Sequence, residues 1–179
     1  MKNKRYFPLY VDLSDKNIVV VGGGTIATRR VKALLLFTRN ITVIAPKMTA
    51  DLWELGKTGR IQIQPRPVKR SDFDMAYMVL AVTGNRDLNE EIYHICKEEG
   101  IYVNVSGDRE LCDFYFPGIC MKDNTVVGLT AGNMSQNHMV VSDIDPERGV
   151  GQGFHHDTLH FNHVGFCQTL SLLVRLDFP

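Results

Sequence analysis

Gly22, Gly24 and Ala27 stand in the pattern Gly-x-Gly-x-x-Gly/Ala, directly after the β-branched run at 17–21. That combination can hold a pyrophosphate. The first glycine permits a tight turn from strand to helix. The second keeps a side chain out of the path of the phosphates, and the small third residue lets helix and strand pack closely. The helix N-terminus then turns its amide groups and positive dipole toward the anion. Without a strand before it and a helix after it, the same pattern is an ordinary packing turn, so the flanking elements decide the reading.

Two other groups of residues bear on chemistry. A dinucleotide site of this type ordinarily carries an acid at the end of its second strand, where it meets the ribose. Here Ile44-Ala45-Pro46-Lys47 stands instead. Three readings stay open: Lys47 meets the 2′-phosphate of NADP, the ribose is read by backbone groups, or Lys47 is solvated surface. Further on, His155, His156, His160 and His163 lie near Asp157 and Cys167. On a helix, His156, His160 and His163 would share a face, as iron or zinc ligands do. Gly151, Gly153, Asn162 and Gly165 weaken any helix there, and no His-Glu-x-x-His occurs. The segment reads as an irregular tail, and no metal ligands are assigned.

The elements that must position the glycine turn follow from the apolar pattern. Residues 17–21 predict a strand buried on both faces. Residues 25–37 predict a helix with Ile26, Val31, Leu34 and Leu35 on its inner side, and Ile41–Ala45 the next strand, stopped by Pro46. The pattern recurs: a short helix over 49–56, a strand over 61–64, a buried strand over 76–82, a helix over 87–99 and a strand over 101–105. Asp87, with Glu90 three residues on, predicts the cap of the third helix, and Gly100 its end. Alternating strands and helices predict a Rossmann-type, doubly wound parallel α/β sheet. Past residue 113, two runs around Lys122-Asp123-Asn124 predict a β-hairpin or dimer-forming strands.

Composition bounds the partners. The 179 residues suit one domain with a small appendage. Lys+Arg and Asp+Glu number 20 each, so no basic surface for nucleic acid is indicated. No apolar run approaches a membrane span, and no apolar h-region follows the basic N-terminus. Cys96, Cys112, Cys120 and Cys167 are scattered without a Cys-x-x-Cys, which suggests free thiols in the cytoplasm.

A longer series now stands in order: Phe7-Pro8-Leu9, Asp12-Leu13, Val19 to Gly24, Ala27, Arg29-Arg30, Thr42 to Pro46, Ala81-Val82-Thr83, Leu88-Asn89, Asn104-Val105 and Leu111 to Pro117. Over residues 5 to about 135 the chain resembles the precorrin-2 dehydrogenase/sirohydrochlorin ferrochelatase family, the N-terminal module of siroheme synthases. The resemblance implies NAD-dependent oxidation of precorrin-2, a tetrapyrrole, to sirohydrochlorin, with ferrous iron inserted afterwards in many members. It places the cofactor along Gly22, Gly23, Gly24, Thr25 and Ile26, with Pro46 and Lys47, and puts Thr83 near the nicotinamide side. It also implies a homodimer through 113–135, where Phe114-Tyr115-Phe116 is too apolar to stand exposed on a monomer.

The chain departs from that family in two places. The aspartate two residues after the Asn-Val pair, implicated in both dehydrogenation and chelation, is replaced by Gly107, and Asp108 follows. Asp108 serves as the catalytic carboxylate if the loop turns it inward, which Gly107 makes easier; otherwise it is a solvated loop residue. After Ser135 the family's continuation, with its basic helix, is missing. Its role toward substrate carboxylates then falls to Arg29 and Arg30, or to nothing. The expected organisation is an NAD-binding domain over 1–112, a dimerisation segment over 113–135 and a divergent tail over 136–179. Weak dehydrogenase activity with little or no ferrochelatase activity is expected. A non-catalytic NAD(H)-binding or tetrapyrrole-binding homologue is the alternative.

Overall fold

The structure is a computed structural model that describes residues 7–122 and 125–129. These fall into two compact units, the first ending at Tyr115 and the second starting at Phe116. The histidine cluster at 155–163 and the whole of 136–179 lie outside the described residues.

The first unit is built on five parallel strands: β1 (Ile18–Val21), β2 (Ile41–Ile44), β3 (Gln62–Gln64), β4 (Met78–Ala81) and β5 (Tyr102–Val105). Their order across the sheet is β3-β2-β1-β4-β5. The chain therefore winds outward from β1 in one direction and then crosses to the other side of it. That is the Rossmann-type α/β architecture. Crossovers run through α1 (Thr25–Leu34), α2 (Ala50–Lys57) and α3 (Arg86–Glu99). The second unit shows an antiparallel hairpin of β6 (Gly118–Lys122) and β7 (Thr125–Leu129).

Residues alternate between the faces of a strand. Val19, Val21, Val79, Ala81, Val103 and Val105 join Ile92 and Cys96 of α3 in one buried cluster. Val20 and Leu80, between them in sequence, have no exposed surface either. The sheet is thus covered on both faces, as its unbroken apolar strands require. A 3-10 turn at Arg70–Phe73 adds Phe73 to the cluster, 2% exposed, which contributes roughly 2 kcal/mol of burial.

Three local expectations need correction. Ile26 does not face inward but is 40% exposed; the buried face of α1 is Ala27, Thr28, Val31 and Leu34. Position 26 precedes Val31 by five residues, which sets it off the stripe. The cap of α3 is not Asp87 but Asn85, whose side chain accepts from Leu88 N–H at 3.2 Å. Phe114 and Tyr115 are half-buried and Phe116 is buried within the single chain, so their exposure gives no reason for a dimer.

Candidate functional site

The strand pairings bring four loops to one edge. Val21 pairs with Ile44 on one side and Ala81 on the other, and Ala81 pairs with Val105. The carboxyl ends of β2, β1, β4 and β5 therefore form a row. Gly22–Gly24 with the first residues of α1, Pro46–Lys47, Thr83 and Asp108 all follow the strand ends of this row. With strands about 4.8 Å apart, the ends of β1 and β5 are about 10 Å apart. Open α/β sheets bind ligands at this edge, where the winding reverses.

The three glycines have separate roles. Gly22 sits at φ +129°, and a side chain there would press on the Val82 carbonyl. A Cβ on Gly23 would overlap the Lys47 carbonyl oxygen. Gly23 C=O accepts from Thr49 N–H at 2.9 Å, which holds the loop after β2 against the turn. Gly24 is exposed, and a Cβ built there meets nothing within 4 Å. The space beside Gly24 is what a pyrophosphate needs.

The start of α1 is open to an anion. Gly24 has no side chain to cap it, and the first turn carries no acid. The first amides of a helix have no partner within it. Thr25 and Ile26, both exposed, begin that turn. Beneath it, Thr28 Oγ1 lies 3.0 Å from Gly24 C=O and 2.7 Å from Thr49 Oγ1. Thr28 spends its one hydroxyl proton on Gly24 C=O, so Thr49 donates to Thr28, while Thr49 Oγ1 accepts from Leu52 N–H. Two part-buried hydroxyl bonds thus tie the glycine turn to α2. The glycine spacing foretold none of this; the signal was two threonines beside apolar stripes.

Pro46 and Lys47 are exposed at the end of β2, and among the described residues no ion pair or hydrogen bond engages the Lys47 ammonium. Thr83 is half-buried, and its polar groups are turned inward. Its hydroxyl lies 2.7 Å from Asn89 Oδ1 and 2.9 Å from Asn85 C=O, and its N–H also reaches Asn89 Oδ1. It therefore shapes its loop.

Asp108 is half-buried. Its Oδ1 accepts from Glu110 N–H at 3.0 Å, and its Oδ2 lies 3.8 Å from the exposed Arg86 guanidinium. Gly107, at φ +89°, makes the turn that presents it. Arg29 is exposed, whereas Arg30 is half-buried. Burial, reinforced by Arg29, pulls the Arg30 guanidinium down to about 10, against an opposing pull from the Cys112 thiol. Arg30 remains cationic at neutral pH.

Residues 9–118 match the family model described as putative NAD(P)-binding. The chain belongs to that family. Within the family its likeness is to siroheme-forming proteins. It is 40% identical over 146 residues to the probable multifunctional siroheme biosynthesis protein HemA of Ruminiclostridium josui, covering 82% of this chain and 28% of that one. It is 33% identical over 131 residues to the siroheme synthase of Nitrosococcus oceani, covering 73% and 28%. Among solved structures, SirC, a precorrin-2 dehydrogenase, superposes with a TM-score of 0.64 at 25% identity, covering 73% of this chain and 63% of that one. The chain thus spans little more than a quarter of the curated relatives' length. The NAD(P)-binding sheet is what the family members share with it. No helix among the described residues is long and apolar enough to cross a membrane.

Proposed function

We propose that this chain oxidises precorrin-2 to sirohydrochlorin, with NAD as acceptor, in siroheme biosynthesis. The observation that carries this reading is the open turn at Gly24 on the same sheet edge as the Asp108 loop, in a chain similar to siroheme synthases over 131 residues. The residues present fit the cofactor. Gly24 leaves the space, and the amides of Thr25 and Ile26 supply donors for the pyrophosphate. Gly22 and Gly23 hold the turn in shape. Pro46 and Lys47 border the adenosine side, and with no acid at this position the ribose is met by backbone groups. The Thr83 loop borders the nicotinamide side.

When bound, NAD supplies the hydride acceptor. The chain supplies the rest. Precorrin-2 loses one hydride and one proton, and Asp108 is placed to take the proton. Arg30, cationic at neutral pH, offers a partner for the substrate's carboxylates. Gly107 removes one carboxylate from the loop, which weakens insertion of ferrous iron more than hydride transfer, because chelation needs both a metal ligand and a proton acceptor. The protein works in the cytoplasm. It forms a homodimer through 113–135, an expectation that rests on the resemblance; light scattering should give about twice 20.2 kDa.

The test is direct. Purified protein, precorrin-2 and NAD are mixed without oxygen, and sirohydrochlorin and NADH absorbance are followed together. Equal formation of the two supports the reading. Binding of NADH without turnover would identify a non-catalytic homologue, the outcome that Gly107 favours.

A further inference from the structure

We propose that Cys112 and Asn104 form a clasp that positions the Asp108 loop, so that Cys112 is a positioning residue for the reaction proposed above. The inference rests on that reading for its catalytic part only.

β5 is the last strand of its sheet. Ser106 N–H bonds Ala81 C=O, toward β4, so Val103 and Val105 present their N–H and C=O groups to the outer edge. An open edge leaves such groups without a ladder. Here the returning segment fills it with side chains. Asp113 Oδ2 accepts from Val103 N–H at 3.1 Å, and Asp113 N–H bonds Val103 C=O at 2.9 Å. One step further along, Cys112 Sγ accepts from Val105 N–H at 3.3 Å and lies 3.3 Å from Val105 C=O.

The same sulfur reaches the Asp108 carbonyl at 3.1 Å. A thiol has one proton, so it donates to one carbonyl at a time while its sulfur accepts. The shorter contact is to Asp108. Asn104 is 6% exposed, and its Nδ2 divides two protons between Cys112 Sγ at 3.5 Å and Phe114 C=O at 2.8 Å. The loop that leaves β5 at Ser106 is thereby pinned in its middle and at its return. Asp108 is held at the strand end by its own peptide group, and its carboxylate meets the Glu110 amide, the exposed Arg86 guanidinium and solvent. A sulfur suits this place. It is large enough to reach three backbone groups across the end of a strand and polar enough to satisfy each weakly.

The test uses Cys112→Ala and Cys112→Ser in the full chain. Amide hydrogen exchange is read at Val105 and Glu110, together with NAD affinity and turnover of precorrin-2. In Cys112→Ala, exchange at both amides should rise about tenfold, while the sheet interior at Val20 and Leu80 is unchanged. Turnover should fall about tenfold with NAD affinity within about twofold, since the cofactor is held by other loops. Cys112→Ser should recover at least half of each loss. Unchanged exchange and turnover in Cys112→Ala would overturn the clasp. So would a rise in exchange spread over the whole sheet with NAD affinity lost in step, which marks a general packing role. If the parent shows no turnover, the proposed reaction fails, and exchange at Glu110 still decides whether Cys112 fixes the loop.

Discussion

Asn89 in α3 reads three groups of Thr83, which precedes that helix. Asn89 Oδ1 accepts from Thr83 N–H and from its hydroxyl, and Asn89 Nδ2 donates to Thr83 C=O at 3.1 Å. Asn89 is 5% exposed and lies on the buried face of α3 with Ile92 and Cys96. A buried polar group is retained only where it is bonded. The loop after β4 is therefore locked to the helix that follows it. Asn89→Ala should cost about 2 kcal/mol in urea unfolding, because it strands Thr83 polar groups. NADH binding should weaken as well if, as proposed, the loop borders the nicotinamide side. A variant as stable as the parent would show that water replaces the amide without loss.

The glycines make a sharper contrast. Gly23→Ala places a methyl on the Lys47 carbonyl, backbone against backbone, and Gly22→Ala meets both a positive φ and the Val82 carbonyl. Both should destabilise by about 3 kcal/mol or more. At exposed Gly24 a Cβ meets nothing within 4 Å, so Gly24→Val should lose only about 1 kcal/mol, the difference between glycine and an apolar residue at a helix cap. NADH titration by fluorescence should then find binding lost in Gly24→Val, although it is folded. Full affinity in that variant would place the pyrophosphate elsewhere.

How much of this could be read from the chain alone depends on the range of the interaction. The five parallel strands and three helices were legible, because β-branched runs and an apolar helical stripe are local signals. The glycine turn was legible for the same reason, although its division into two packing glycines and one open one was not. That required knowing that Lys47 and Val82 lie beside it. The cap of α3 was misplaced because Asn85 and Asp87 both suit a helix start. The fold chooses Asn85, and Asp87 stays in the first turn, where its charge still favours the dipole. Asn104 and Cys112 stand in the series that carries the resemblance, but nothing local showed that they meet. They are eight residues apart, share no periodic face, and meet only because the segment after Asp108 folds back on the edge of β5.

Acid should loosen the first unit at Asp72. Arg66 grips its carboxylate with two bonds, at 2.8 and 2.6 Å, and Lys69 N–H adds a third at 2.7 Å. These bonds, with the Arg66 pair first, hold Asp72 below the ordinary carboxylate value of 3.8. On acidification the unfolded chain takes up this proton first. The contribution is therefore complete above about pH 5 and is lost as pH falls through the depressed folded value. Urea midpoints measured from pH 6 down to 3 should decline less steeply in Asp72→Asn than in the parent. Parallel declines would assign the acid sensitivity to other carboxylates.

Asp108 is the candidate base of the proposed reaction. It stands one residue beyond the position where the resemblance implies an aspartate, and Gly107, at φ +89°, supplies the turn that presents it. Arg86, 3.8 Å away and 85% exposed, pairs with it too wetly to hold the carboxylate in place. The carboxylate is thus free to serve a substrate proton. Asp108→Asn keeps the acceptor for Glu110 N–H and removes the base, so the loop should stay folded. Turnover of precorrin-2 should then fall about 100-fold, within the usual range for loss of a general base, with NADH affinity unchanged. Asp108→Glu, which restores the base at the end of a longer chain, should recover part of it. Equal activity in parent and Asp108→Asn would mean that proton loss proceeds to solvent and that this loop contributes position alone. Robust iron insertion by the parent would refute the expected ordering of the two activities, in which chelation suffers more than hydride transfer from the loss of the carboxylate that Gly107 replaces.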